Sequence, residues 1–218
     1  MAAQEDGFEP HRHKRATTKK IYEMKKNRSL IAIITVVALL VIWCVTKYNG
    51  MVTQDEKVST AWSNVETQYQ RRADLIPNLV STVKGYATHE SETLEGVVAA
   101  RAKATQVTVD PENITPEKLQ EFQKAQGDVT SALGKLIAIT ENYPDLKANE
   151  NFKTLQVQLE GTENRITESR RIYNEAVQAY NLTARRFPGN IVASLFGFSA
   201  KAKFEASEGA EKAPEVKF

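Results

Sequence analysis

The run Val52-Thr-Gln-Asp-Glu-Lys-Val58-Ser-Thr-Ala-Trp62-Ser-Asn-Val65-Glu-Thr-Gln-Tyr69-Gln-Arg-Arg72-Ala-Asp-Leu-Ile76-Pro77-Asn-Leu79-Val-Ser-Thr-Val83-Lys-Gly-Tyr86 decides the fold. Val58, Trp62, Val65, Tyr69, Arg72, Ile76, Leu79, Val83 and Tyr86 are separated alternately by four and three residues. That heptad spacing lays them along one stripe of an α-helix. Arg72 is the one charged intruder, and its aliphatic stem can cover apolar surface while its head stays in water. The helical pattern continues to about Gln106, which predicts a helix of roughly 55 residues, on the order of 80 Å long. Pro77 removes a backbone donor and crowds the preceding turn, so the reading places a kink near Asp74 to Pro77, with a break into two helices as the alternative.

Toward the C-terminus the same period recurs twice. Thr115-Pro116 offers an N-cap followed by proline at the first helical position, which predicts a second helix with the seam Leu119, Phe122, Gln126, Val129, Leu133, Leu136 and Thr140, stopping at Tyr143 before Pro144. A third, from about Asn149 to Phe187, aligns Phe152, Leu155, Leu159, Thr162, Ile166, Ser169, Tyr173, Ala176, Tyr180 and Ala184. Phe187-Pro188-Gly189-Asn190 ends it, and the apolar Ile191 to Phe198 follows as a short helix. No sustained alternation of period two and no fixed repeat appear. The fold class is all-α: an elongated antiparallel bundle of three long helices plus a short C-terminal helix.

Toward the N-terminus, Ser29 to Thr46 holds no charged side chain, and Leu30 to Val45 is close to the length that crosses bilayer hydrocarbon. It reads as a single transmembrane helix. Signal cleavage is disfavoured because Ile42-Trp43-Cys44-Val45 lacks small residues, and bulky Trp43 before Cys44 disfavours a lipobox. Trp43 and Tyr48 suit the membrane interface. The first 28 residues carry eight Lys/Arg against four Asp/Glu, the remainder 21 against 23. By the positive-inside rule the N-terminus is cytoplasmic, and the domain beyond the span is periplasmic or extracellular. The basic residues are assigned to topology and anionic lipid headgroups rather than to nucleic acid. The organisation is therefore a basic cytoplasmic tail (1–28), a transmembrane helix (29–46), the helical bundle (47–205) and a polar C-terminal tail (206–218).

Several chemistries lack the residues they need. Cys44, the one cysteine, has no partner for an intrachain disulfide. His11 and His13 lie in the tail, leaving His89 as the sole histidine of the outer domain, so no His/Cys metal set can form there. The residues around His89 resemble no nucleophile elbow, and no glycine-rich phosphate loop occurs. The expectation is a non-enzyme with no cofactor, no metal and no evident small-molecule substrate.

Tyr48-Asn-Gly-Met-Val52, Ala61-Trp-Ser-Asn-Val65, Gln70-Arg-Arg-Ala-Asp-Leu-Ile-Pro-Asn-Leu-Val80, Thr82-Val-Lys-Gly-Tyr-Ala87, Tyr143-Pro-Asp-Leu-Lys-Ala148, Arg170-Arg-Ile-Tyr-Asn174 and Tyr180-Asn181 form an ordered series that resembles the LemA family. The resemblance covers roughly residues 45 to 205. It implies a bacterial cell-membrane protein with a helical ectodomain, no established enzymatic activity, and a link to a membrane zinc metalloprotease of the HtpX type and to envelope stress. The basic tail is longer than the family leads one to expect.

Two surfaces are candidates for protein contact. The first is Arg71, Arg72, Asp74 and Asn78 around the expected kink. The alternative there is a self-contained bend, with Asp74 paired to Arg71 and Asn78 satisfying backbone groups freed by Pro77. The second is the C-terminal element with Ile191, Leu195, Phe196 and Phe198, which either caps the core or is an exposed patch that drives association. A first helix of about 55 residues leaves seam that a second of about 27 cannot cover, which favours a self-assembling homo-oligomeric scaffold unless the third helix supplies the cover instead. The rival reading is an adaptor or regulator of the metalloprotease.

Overall fold

The computed structural model describes residues 11–111 and 113–205, with side chains described from residue 27 onward apart from Ser29. The polar tail 206–218 and most side chains of the basic tail lie outside the described residues. Among the described residues there are six helices: α1 (His11–Lys84), α2 (Ser91–Gln106), α3 (Pro116–Thr140), α4 (Pro144–Ala148), α5 (Glu150–Arg185) and α6 (Gly189–Phe196). The described residues contain no strand. The chain separates into two compact units, one up to Asn49 and one from Gly50 onward.

In the first unit the Leu, Ile and Val side chains from Leu30 to Val45 are each more than half exposed. This stretch of α1 is long and apolar enough to cross a membrane, and none of it is buried. A helix apolar on every side has no core to face in water and is suited to lipid.

The second unit is a bundle with the seams at its centre. Val58, Trp62, Val65, Ile76, Leu79 and Val83 are fully or almost fully buried. The core has two parts. An aromatic part joins Trp62, Tyr69, Phe122, Tyr173 and Phe204 with Ile166, Val177 and Tyr180. An aliphatic part joins Ile76, Leu79 and Val83 with Leu94, Val97, Val129, Leu133, Leu136, Leu146 and Phe152. Trp62 meets Phe122 edge-on at 5.3 Å between ring centres and Tyr173 at 5.5 Å, and stacks on Phe204 at 5.9 Å.

The sequence-based boundaries need correction in α1 and α2. The helix passes Pro77 unbroken and ends at Lys84, not Gln106. Proline survives because the carbonyl it orphans, that of Ala73 four residues earlier, accepts a 2.7 Å hydrogen bond from Arg101 Nε. The break comes after Gly85, a weak helix former. Tyr86 and Ala87 both donate to the Val83 carbonyl, at 3.0 and 2.9 Å, and buried Ala87 turns the chain inward. Ala73 and Arg101 lie equally far from Ala87 along the chain, so α2 folds back antiparallel to α1. Tyr86 thereby leaves the seam, is 43% exposed, and accepts a hydrogen bond from Asn149 Nδ2 at 2.9 Å.

The predicted cap at Thr115 is present, and Asn149 caps α5 in the same way. Thr115 Oγ1 accepts from the Lys118 amide at 3.3 Å to start α3, and Asn149 Oδ1 accepts from the Phe152 amide at 3.0 Å to start α5. Pro144 opens the short α4, which the sequence reading left as a connection, and α4 buries Leu146. The bundle has two distinguishable ends. One gathers Tyr86, Glu90, Tyr143 and Asn149, with Tyr143 donating to Glu90 at 3.0 Å. At the other, Gly189 sits against Met51 and Thr183: a Cβ on Gly189 would lie 3.0 Å from the Thr183 carbonyl and 3.4 Å from Met51 Cε.

Candidate functional site

Arg72 occupies the seam position between the aromatic part of the core, which ends on α1 at Tyr69, and the aliphatic part, which begins at Ile76. Its side chain is 2% exposed, so the expectation of a solvated head is overturned, and with it Arg72 as a surface contact. Nη1 donates to Thr130 Oγ1 at 2.8 Å and to Glu163 Oε2 at 3.0 Å. Nη2 donates to the Gln126 carbonyl at 3.0 Å and to Gln126 Oε1 at 2.7 Å. The guanidinium also lies 5.1 Å from the Tyr69 ring centre. One cation thus ties α1 to α3 and α5, and its planar fork explains why arginine rather than lysine fits. Burial pushes the Tyr69 phenol up, with the Arg170 and Arg72 guanidinium groups opposing that shift.

Beside this brace runs a groove of about 780 Å³, lined in part by Glu66, Arg71, Asp74, Arg101, Thr105 and Thr108. Arg71, Asp74 and Asn78 are exposed on one face of α1. Asp74 accepts a hydrogen bond from Gln70 Nε2 at 2.7 Å, not from Arg71, and the backbone group freed by Pro77 is served by Arg101, not by Asn78. The helix around Pro77 is therefore supported from α2, and the exposed trio is left outward. Burial raises the Glu66 carboxyl, opposed by the nearby Trp62 indole N–H. The groove mixes both charges with threonine hydroxyls and apolar walls.

The residues beyond α6 form a strap that sequence reasoning missed. Asn174 Nδ2 donates to the Phe204 carbonyl at 3.0 Å, and Asn174 Oδ1 accepts from the Phe204 amide at 2.9 Å. Asn181 makes the same pair with Lys201, both at 2.9 Å. Each side-chain amide stands in for one peptide unit of a neighbouring strand. Seven residues of helix rise about 10.5 Å and three residues of extended chain about 10 Å, so the two registers match. The strap also reaches α1 through the Lys201–Asp55 ion pair at 2.7 Å and α3 through Gln123, which donates to the Glu205 carbonyl at 3.0 Å.

The C-terminal element divides. Val192 and Ala193 are buried, while Ile191, Leu195 and Phe196 are exposed. Gly197, at φ 78°, ends α6 and returns Phe198 to the aromatic core, which removes Phe198 from the expected exposed patch. Trp43 is half-buried and Tyr48 exposed at 37%. His89 is exposed in the turn between α1 and α2, and among the described residues no group of three or more His, Cys, Asp or Glu side chains could hold a metal ion. The partners of Arg72 did leave a signal: Gln126 and Thr162 are polar at seam positions of their own helices, as Arg72 is of α1, and Glu163 adjoins Thr162.

Comparison with known proteins places this architecture. The chain is 28% identical over 193 residues to magnetosome protein MamQ 2 of Paramagnetospirillum magneticum, covering 81% of this chain and 71% of that protein. It is 27% identical over 187 residues to magnetosome protein MamQ of Magnetospirillum gryphiswaldense, covering 78% and 66%. Against protein LemA of Metamycoplasma hominis the identity is 26% over 164 residues, covering 75% and 71%. The LemA family profile matches residues 61–218, the greater part of the chain and the whole stretch that builds the brace, the groove and the strap, and the protein accordingly belongs to the LemA family.

Proposed function

We propose that this protein is a non-enzymatic scaffold of the bacterial cell envelope, anchored by the apolar stretch of α1 and assembling with copies of itself. The observation that carries this reading is that the strongest polar chemistry of the bundle is spent inside the fold. Arg72 braces three helices, Arg101 completes the backbone at Pro77, and Asn174 and Asn181 hold the strap. The expected excess of apolar seam does not carry it, because the seam residues up to Val83 are covered within the chain. Copies would meet through the sides of the bundle, where Val157 on α5 is 67% exposed and Val98 on α2 is 49% exposed. Confinement to one membrane raises the effective concentration, so weak side contacts suffice.

Native mass spectrometry of particles extracted gently from membranes, with imaging of the same sample, tests the reading. Assemblies of this chain that shrink on Val157→Asp support it; a single copy per particle at every concentration overturns self-assembly.

The second reading is an adaptor for a membrane protein, such as the metalloprotease that the family resemblance implies. The exposed face of Arg71, Asp74 and Asn78 beside the groove favours it. Replacing those three by alanine, with Arg72 left intact, should reduce copurification of the partner while the bundle stays folded. Unchanged recovery would remove this face from consideration.

A further inference from the structure

The apolar side chains left over at the Met51 end of the bundle carry an inference of their own. Phe187 is 81% exposed, Leu195 72% and Ile191 50%, although the opposite side of α6 buries Val192 and Ala193. Ile191 and Leu195 are four residues apart and so share the outward face of α6. Arg185 and Arg186 stand exposed immediately before Phe187. In water such a surface costs free energy on every exposed methylene, and the fold gives no internal cover to it.

Chain connectivity decides what covers it. Gly189, the first residue of α6, is pressed against Met51, and Met51 follows the last residue of the apolar run, Val45, by six positions. Six residues rise about 9 Å as helix and reach at most about 20 Å fully extended. The headgroup layer on each face of a bilayer is about 5–8 Å deep. The start of α6 is therefore tethered, through Met51, within a short distance of the hydrocarbon boundary. Exposed phenylalanine and aliphatic side chains beside two arginines make the composition that settles into such a boundary, with rings and methyls among acyl chains and guanidinium groups at lipid phosphates.

We propose that Phe187, Ile191 and Leu195, flanked by Arg185 and Arg186, form a second and interfacial membrane contact that lays this end of the bundle on the lipid surface. The contact does not require copies to assemble.

Spin labelling of the full chain in nanodiscs of phosphatidylglycerol and phosphatidylethanolamine tests this. In a Cys44→Ser background, Phe187→Cys and Leu195→Cys are labelled, with Thr88→Cys in the distant α1–α2 turn as the aqueous comparison. Phe187 and Leu195 are largely exposed, so the labels do not disturb the core. The ratio of collisions with oxygen to collisions with a water-soluble nickel chelate should be several-fold higher at 187 and 195 than at 88. Equal ratios at all three sites would show the face in water and overturn the proposal. Exclusion of both reagents at 195 together with label-to-label broadening would place a second copy on the face and overturn it equally.

Discussion

At the scale of single residues, Arg72 sets the energetics of the centre of the bundle. A buried cation keeps its acceptors or becomes strongly destabilising, whereas a half-exposed carboxylate that loses its partner can turn to water. Glu163 is 45% exposed and Arg72 2%. Glu163→Ala should therefore destabilise by about 3 kcal/mol, and Arg72→Met, which fills the volume without the charge, by less. Chemical unfolding of the full chain in detergent checks the ordering, and equal costs would contradict it. Titration offers a second test at this scale. Burial, and secondarily the Asp55 carboxylate, push the Tyr180 phenol up to about 12. Its folded value lies above the ordinary phenol value of about 10, so the protonated form is favoured by folding. That contribution is complete below about pH 10 and is lost as pH rises through about 12. Tyr180→Phe should flatten part of the alkaline fall in unfolding midpoint, and the rest should persist because burial also raises Tyr173.

At the scale of elements, the Pro77–Arg101 arrangement makes a sharper claim than a kink would. If Arg101 serves the carbonyl that proline orphans, restoring an N–H at position 77 should make Arg101 partly redundant. Arg101→Ala alone should cost about 1–2 kcal/mol, and the same change in a Pro77→Ala background distinctly less; additive costs would mean the two residues act independently. The elements also show what the sequence could and could not reveal. The seams of α1, α3 and α5 and the cap at Thr115 were legible because spacing and capping are local properties. The end of α1 was not. Pro77 was the loudest break signal, yet a partner from α2 neutralised it, while the quieter Gly85 marked the real turn. Arg72 read as a surface residue for the same reason: its acceptors come from helices that adjoin it only after folding. Asn174 and Asn181 lay within the motifs that suggested the family, but a seven-residue repeat of asparagine on a helix announces no ligand until a non-helical segment is set against it.

At the scale of the whole molecule, the strap closes the bundle. It crosses from α6 back along α5 and lays Phe204 on Trp62, the largest fully buried side chain of the core. Its attachment rests on Phe204 and a few polar pairs rather than on a helix face: the amides of Asn174 and Asn181, and Lys201, whose side chain is only 7% exposed in its pair with Asp55. A segment held this way opens locally before the helices unfold, because its buried contacts, Phe204 chief among them, are fewer than those of any long helix. Asn174→Ala with Asn181→Ala should remove both backbone pairs, expose Lys201, free the backbone around the already exposed Lys203, and uncover the Phe204 face of Trp62 while leaving the helices intact. Brief trypsin digestion should then cut at Lys201 or Lys203 many times faster than in the unaltered protein, while the helical circular dichroism signal changes little. If cleavage and helicity fall together only on global unfolding, the strap belongs to the same cooperative unit as the bundle, and the aromatic core rather than the asparagine pairs holds it in place.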